Sequence, residues 1–282
     1  MKKYLKIVAI TLLLASSVCS QNKKAEVSKQ NNAKITTNLS VKYIANEGVL
    51  ISSGGKIVLI DGLHREYEPD YLFPPSDLLE SLENAKSPYD KINLLLVSHL
   101  HLDHFHPLSI GLHLKNNPQA KLFSSRQIIS EVSKNFSEYD KIRPQMTEII
   151  HELKKSYEIN QDGIKVRFLG LRHGSERFKE IQNFGHLIEI GGKKLLHIGD
   201  AEMTAENFSA FELQKEKIDV AFIPYWFLLS ENGRNLVKEQ FAPKQIIAVH
   251  IPPNEAEEIS AKFKKEIPEV FLFTKVLEEK SF

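Results

Sequence analysis

The chain has 282 residues, 42% of them hydrophobic and 26% charged, which is the composition of a folded globular protein with enough apolar side chains for a substantial core. Lys and Arg number 37 against 36 for Asp and Glu, a formal charge of +1, and no basic block is dense enough to follow a phosphate backbone, so nucleic acid is not expected as a partner. Cys19 is the one cysteine, which excludes an intramolecular disulfide and a multi-cysteine metal site.

In chain order, Lys2, Lys3 and Lys6 lead into an apolar run at residues 7–15, broken only by Thr11. The run is too short to span a bilayer, which takes about 20 apolar residues, so residues 1–18 read as an export signal. The stretch Leu14-Ala15-Ser16-Ser17-Val18-Cys19-Ser20 resembles the signal of bacterial lipoproteins, with Val18 standing where a small residue is usual. That resemblance implies cleavage before Cys19, lipid on its thiol, and a protein exported from a bacterial cell and anchored to a membrane, facing the periplasm or the exterior. Ordinary cleavage nearby, with Cys19 removed or left as an idle thiol, is the alternative. Residues 19–40 then comprise the anchor cysteine and a polar stretch rich in Lys, Asn, Gln and Ser, the composition of a flexible tether.

Residues 41–282 carry the folded domain, with short apolar strands set between turn signals. Strands are predicted at 49–52 and 56–60, flanking the hairpin signal Ser53-Gly54-Gly55, and at 92–97, 164–169, 187–190, 194–198, 220–223 and 246–249. Antiparallel hairpins are expected to dominate the pairing. A helix is expected from Asn254, whose side chain can cap the first turn with Glu257 in the capping-box position, while Ala256, Ile259 and Phe263 share one face. Strands and helices in this mixture mean α+β or a layered αββα arrangement, with no linker long enough for two independent domains.

The chemistry concentrates where the apolar strand Leu94-Leu95-Leu96-Val97 runs into Ser98-His99-Leu100-His101-Leu102-Asp103-His104. In extended chain, residues two apart point the same way, so His99 and His101 can bind one metal ion together. Asp103 and His104 follow as the chain turns and can face a second. Imidazole and carboxylate without thiolate suit zinc, with iron or manganese possible.

His99-Leu100-His101-Leu102-Asp103-His104 resembles the H-x-H-x-D-H signature of the metallo-β-lactamase-fold hydrolases. The resemblance covers about residues 41–253 and implies a four-layer αββα sandwich with two zinc ions at the sheet edges. It also implies three further ligands at strand ends, for which His173, a bridging Asp200 and His250 have the right type and order. Asp61, after the strand at 57–60, matches an aspartate that the family keeps beside the metal loop, although an Asp-Gly turn explains it equally. Phe105-His106-Pro107 replaces the glycine found after the motif in true β-lactamases, which places the chain nearer the lactonase-like and phosphodiesterase-like branch.

The family resemblance implies hydrolysis of an ester, lactone, amide or phosphodiester bond in a small-molecule substrate. A hydroxide held between two zinc ions would attack, because zinc lowers the pKa of water to about 7. Asp200 would bridge the ions and Asp103 would orient the nucleophile, which makes both catalytic candidates. His64, His106, His186 and His197 are candidates for lining or supporting the site, each with a structural alternative. Trp226, with Tyr225 and Phe227, either walls an apolar pocket or packs in the core, and Arg172 and Arg177 flank the His173 loop. Two other functions use the same residues: a di-iron redox enzyme, and a lipid-anchored binding module whose metal site is structural.

Overall fold

The computed structural model describes residues 38–282; the segments read from sequence as an export signal, an anchor cysteine and a tether lie, up to residue 37, outside the described residues. Leu39 is fully buried and β1 (Ser40–Ala45) follows it directly, so the fold begins before Val41, where composition alone sets the boundary. Two antiparallel hairpins join β1, β2 (Gly48–Ser53) and β3 (Lys56–Ile60), after which β4 (Leu94–Leu96), β5 (Lys121–Ser124) and β6 (Met146–Glu148) add on in parallel. An antiparallel meander follows, of β7 (Ser156–Gln161), β8 (Ile164–Arg172), β9 (Gln182–Ile190) and β10 (Lys193–His197). It is extended in parallel by β11 (Val220–Pro224), β12 (Gln245–Val249) and β13 (Phe271–Leu272). β14 (Glu279–Ser281) returns to pair with β1, completing two 7-stranded sheets, ordered β14-β1-β2-β3-β4-β5-β6 and β13-β12-β11-β10-β9-β8-β7.

Half of the pairings are therefore parallel, and the expected dominance of antiparallel hairpins is corrected. Helices account for the difference: Pro107–Asn116 carries the chain from β4 to β5, and Glu231–Gln240 carries it from β11 to β12, the crossovers that parallel neighbours need.

Side-chain alternation explains the layering. Val58 and Ile60 of β3, Leu94 and Leu96 of β4, Val220 and Phe222 of β11, and Ile247 and Val249 of β12 all enter one core between the sheets. Their neighbours point the other way. Leu59 and Leu95 pack under the helices Ser76–Glu83 and Pro107–Asn116, through Leu78, Leu82, Ile110 and Leu114. Ala221, Ile223 and Ala248 pack under Glu231–Gln240 and Ala256–Glu266, through Val237, Ile259 and Phe263. A strand covered on both faces must be apolar at every position, which is why these segments read as continuous hydrophobic runs. The result is the αββα sandwich that the sequence predicts. The expected cap at Asn254 does not form: Glu255 turns back onto the Pro252 carbonyl at 3.0 Å and becomes the N-cap of Ala256–Glu266, without a side-chain bond.

β1 and β3 both run antiparallel to β2, and β8 and β10 both run antiparallel to β9, so the carboxyl ends of alternate hairpin strands point the same way as the parallel strands beside them. The turns after β1, β3, β4, β8, β10 and β12 consequently meet at one rim. Among the described residues, no helix is long and apolar enough to cross a membrane.

Candidate metal centre

That rim gathers the histidines and aspartates in two groups. One ligating atom from each of His99, His101, His173 and Asp200 lies within 4.8 Å of the others, and the same holds for Asp103, His104 and His250. His99 Nε2 stands 3.0 Å from His101 Nδ1, as their two-residue spacing at a strand end requires. Asp200 joins the groups. Its Oδ2 faces His173 Nε2 at 3.6 Å and His99 Nε2 at 3.9 Å, while its Oδ1 faces His104 Nε2 at 3.4 Å and His250 Nε2 at 3.5 Å. One carboxylate thus presents an oxygen to each group, the geometry of a bridging ligand.

The surrounding chain fixes these orientations. Asp61 Oδ1 accepts from the Ser98 amide at 2.8 Å, and its Oδ2 accepts from Ser98 Oγ and lies 3.0 Å from His104 Nδ1. Asp61 therefore supports the motif loop and turns His104 Nε2 toward Asp103 and Asp200, while its own backbone is left-handed, with φ 45, as an Asp-Gly turn allows. Asn46, in the turn after β1, donates from Nδ2 to Asp103 Oδ2 at 3.0 Å and to its main-chain carbonyl at 3.1 Å. The Asn46 backbone is left-handed, with φ 52, a conformation that asparagine tolerates better than most residues. Sequence reasoning missed Asn46 and its neighbour Glu47; their signal was the Asn46-Glu47-Gly48 turn between two apolar segments.

Several buried polar atoms here have no hydrogen-bond partner: His104 Nε2, both ring nitrogens of His173, Asp200 Oδ1, His250 Nε2, and both carboxylate oxygens of Glu47. Leaving a buried polar group unpaired costs about 1–3 kcal/mol. Unpaired imidazole and carboxylate atoms converging on one another fit divalent metal ions, which would be their partners.

Charge follows the same grouping. Burial opposes ionisation of Asp103, but His104 and His250, whose Nε2 atoms stand 3.3 Å and 3.2 Å from its Oδ2, outweigh it and hold the carboxyl far below the usual range. Asp200 is lowered in the same way: burial opposes, and His250 and His104 prevail. Burial works against a charge on His250 too, but Asp200 and Asp103 push it up to about 10. In the other group, burial brings His173 down to about 4 and takes His99 well below its ordinary value, so both rings are neutral donors at physiological pH.

A cavity of about 640 Å³ opens onto the site. Tyr71 meets the His250 ring edge-on at 5.5 Å between centroids, Trp226 meets it at 5.0 Å, and Phe178 packs against His101 at 4.9 Å and His173 at 4.8 Å. Trp226 and Tyr225 therefore line the pocket, whereas Phe227 is fully buried in the core. Arg177 reaches the cavity with its guanidinium 4.3 Å from the Phe178 ring, and Arg172 instead pairs with Glu202 at 3.6 Å. Tyr71 and Phe178 were not singled out in the sequence, since Tyr71 sits in a loop and Phe178 ends a single 3-10 turn, Glu176–Phe178, and neither segment has periodicity.

The other histidines stay out of the cavity. His64 is fully buried and brought down to about 4 by burial and the nearby His104. His106 occupies the N-cap of Pro107–Asn116 without capping it through its side chain. His186 packs edge-on against Phe168 beneath the rim. His197 Nδ1 accepts from the Gly199 amide at 3.2 Å, and its Nε2 donates to the Glu47 carbonyl at 3.1 Å, so this ring holds the turn after β1.

The sequence profile of the Beta-lactamase superfamily domain matches residues 69–273. The chain belongs to that family. Solved structures share the fold of this superfamily member at low identity. Igni18, a metallo hydrolase from the hyperthermophilic archaeon Ignicoccus hospitalis, superposes with a TM-score of 0.56 at 17% identity, over 87% of this chain and 99% of its own. The metallo-beta-lactamase fold protein YhfI from Bacillus subtilis gives 0.59 at 14% identity, over 87% and 100%. CmlA, a diiron beta-hydroxylase from Streptomyces venezuelae, gives 0.57 at 13% identity, over 87% of this chain and 54% of its own. No curated protein matches the chain in sequence.

Proposed function

We propose that this chain is a zinc-dependent hydrolase of a small-molecule ester, lactone, amide or phosphodiester, of the lactonase-like and phosphodiesterase-like kind, exported and anchored to a bacterial membrane through lipid on Cys19. The observation that carries the hydrolase is Asp200, with one oxygen toward His99 and His173 and the other toward His104 and His250. His99, His101, His173 and Asp200 would hold one ion, and Asp103, His104 and His250, with the Oδ1 of Asp200, the second. Two divalent ions held there would supply Lewis acidity and make water nucleophilic at neutral pH.

The chain's own residues do the rest. Asp103, steadied by Asn46, accepts a hydrogen bond from the attacking water and orients it. Phe178, Tyr71 and Trp226 exclude bulk solvent and give the substrate an apolar wall, with Arg177 at hand for a polar substituent. Export and anchoring are supported by the lysines, apolar run and cysteine of residues 1–20.

The test is a panel of aryl ester, lactone, amide and phosphodiester substrates, assayed before and after chelation and after return of zinc, iron or manganese. Activity restored by zinc and absent from His101→Ala and Asp200→Ala is the expected result; activity that survives in both variants contradicts the mechanism. The fold of the diiron hydroxylase CmlA supports a second reading, oxidative chemistry on two irons. Iron retained through purification, with oxygen consumption and no hydrolysis, would favour it.

A further inference from the structure

Glu47 is a buried carboxylate at the rim to which the metal centre described above gives no task. Its side chain is 1% exposed, and neither carboxylate oxygen has a hydrogen-bond partner. The turn that carries it is built for close approach: a Cβ on Gly48 would come within 2.8 Å of both the Ala45 and Asp61 carbonyl oxygens, so the following residue has to be glycine for Glu47 to reach the end of β3. The nearest nitrogen, His197 Nε2, lies 3.5 Å from Glu47 Oε2. Its hydrogen is spent on the Glu47 main-chain carbonyl at 3.1 Å, and His197 Nδ1 is taken by the Gly199 amide.

Two groups of ligating atoms include Glu47, one with Asp61 and His197 and one with His104 and Asp200. The first is already satisfied, because Ser98 and His104 occupy the Asp61 oxygens and both His197 nitrogens are engaged. In the second, His104 Nε2, Asp200 Oδ1 and both Glu47 oxygens are all buried without partners. Unpaired buried atoms of ligating type within 4.8 Å of one another point to a shared cation.

We propose that Glu47 is a further ligand of the second metal position, adding its carboxylate to Asp103, Asp200, His104 and His250. This inference rests on the metal-centre assignment of the preceding subsection. Its consequence is an unequal pair: three imidazoles and one carboxylate at the first position, and three carboxylates with two imidazoles at the second. Oxygen-rich sets favour harder, higher-coordinate cations, so the second position should accept manganese or iron more readily than the first.

The experiment titrates the metal-depleted full chain and its Glu47→Gln variant with cobalt(II) and with zinc, following heat and the visible cobalt absorption. The expected wild-type result is two binding phases, of which Glu47→Gln weakens only the second, by about 10–100-fold, and makes the second cobalt band more intense as coordination number falls. Without metal, Glu47→Gln should melt at or above the wild-type temperature, since it removes an unpaired buried carboxylate; a purely structural Glu47 would give a lower melting temperature and unchanged metal binding. Two unaltered phases in the variant overturn the role of Glu47 alone, and a wild-type chain that takes up no cobalt overturns the metal centre and this ligand together. Should Glu47→Gln not fold, Glu47→Asp, which retracts the carboxylate by one methylene, must weaken the second phase selectively for the inference to stand.

Discussion

Asp61 Oδ2 lies 3.0 Å from Nδ1 of His104, and both side chains are completely buried. A carboxylate at that nitrogen keeps the proton on Nδ1 and leaves Nε2 free to face Asp103 and Asp200. Asp61→Asn has nearly the same shape but can offer its amide hydrogens to His104, reversing the tautomer. Metal affinity should fall about 10–100-fold while the far-UV circular dichroism stays unchanged. Competition with a chromogenic chelator measures it, and an affinity equal to wild type would refute the supporting role.

The two groups of donors predict separable losses. His173 serves only the first and His250 only the second. His173→Ala and His250→Ala should each retain about half the wild-type metal, and the double variant almost none, since removing one of a few ligands disables a site. Counting metal in each dialysed variant decides. Complete loss in either single variant would mean that the two positions fill only together.

Gly111 lies against the Phe136 ring, where a Cβ would come within 2.3 Å of Cγ. Gly111→Ala should destabilise the fold by about 1–3 kcal/mol, because Phe136 is buried and has little room to retreat. Urea denaturation of the metal-free protein checks this, and metal stoichiometry in the surviving folded fraction should be unchanged. Equal midpoints for the two proteins would show that the helices Pro107–Asn116 and Arg126–Asn135 separate more easily than their packing indicates.

Trp226 lines the cavity and meets the His250 ring edge-on at 5.0 Å. Trp226→Ala should raise KM for aryl substrates by about tenfold, the value of one aromatic contact, and leave kcat within a few-fold. Steady-state kinetics on an aryl and an alkyl ester of the same acid separates the cases: an equal rise for both would mean that Trp226 acts through His250 rather than on substrate.

Much of this centre was legible in sequence because its chemistry is local. His99, His101, Asp103 and His104 follow one buried strand, and the two-residue spacing of the first pair is enough to make their rings converge. Strands β3, β4, β11 and β12 were legible because both of their faces are covered, so every position after Lys56 at the start of β3 and Gln245 at the start of β12 is apolar. β7 escaped notice for the opposite reason: its residues alternate between exposed and half-buried, and Ser156-Tyr157-Glu158-Ile159-Asn160-Gln161 carries no apolar run. β5 and β6 are short, and pattern alone does not tell parallel from antiparallel pairing. Asn46 and Glu47 were missed because the Asn46-Glu47-Gly48 turn signals only itself, and not that it will sit beneath residues more than fifty positions away; the order β1-β2-β3-β4 brings them there.

Whether the rim is a dinuclear metal centre is decided by the metal content of the protein purified without a polyhistidine tag and without added metal, then reconstituted and dialysed. Two divalent ions per chain, held by wild type and lost from Asp200→Ala, is the predicted result. A folded chain that holds no metal after reconstitution would mean that the rim of histidines and aspartates is not a metal centre.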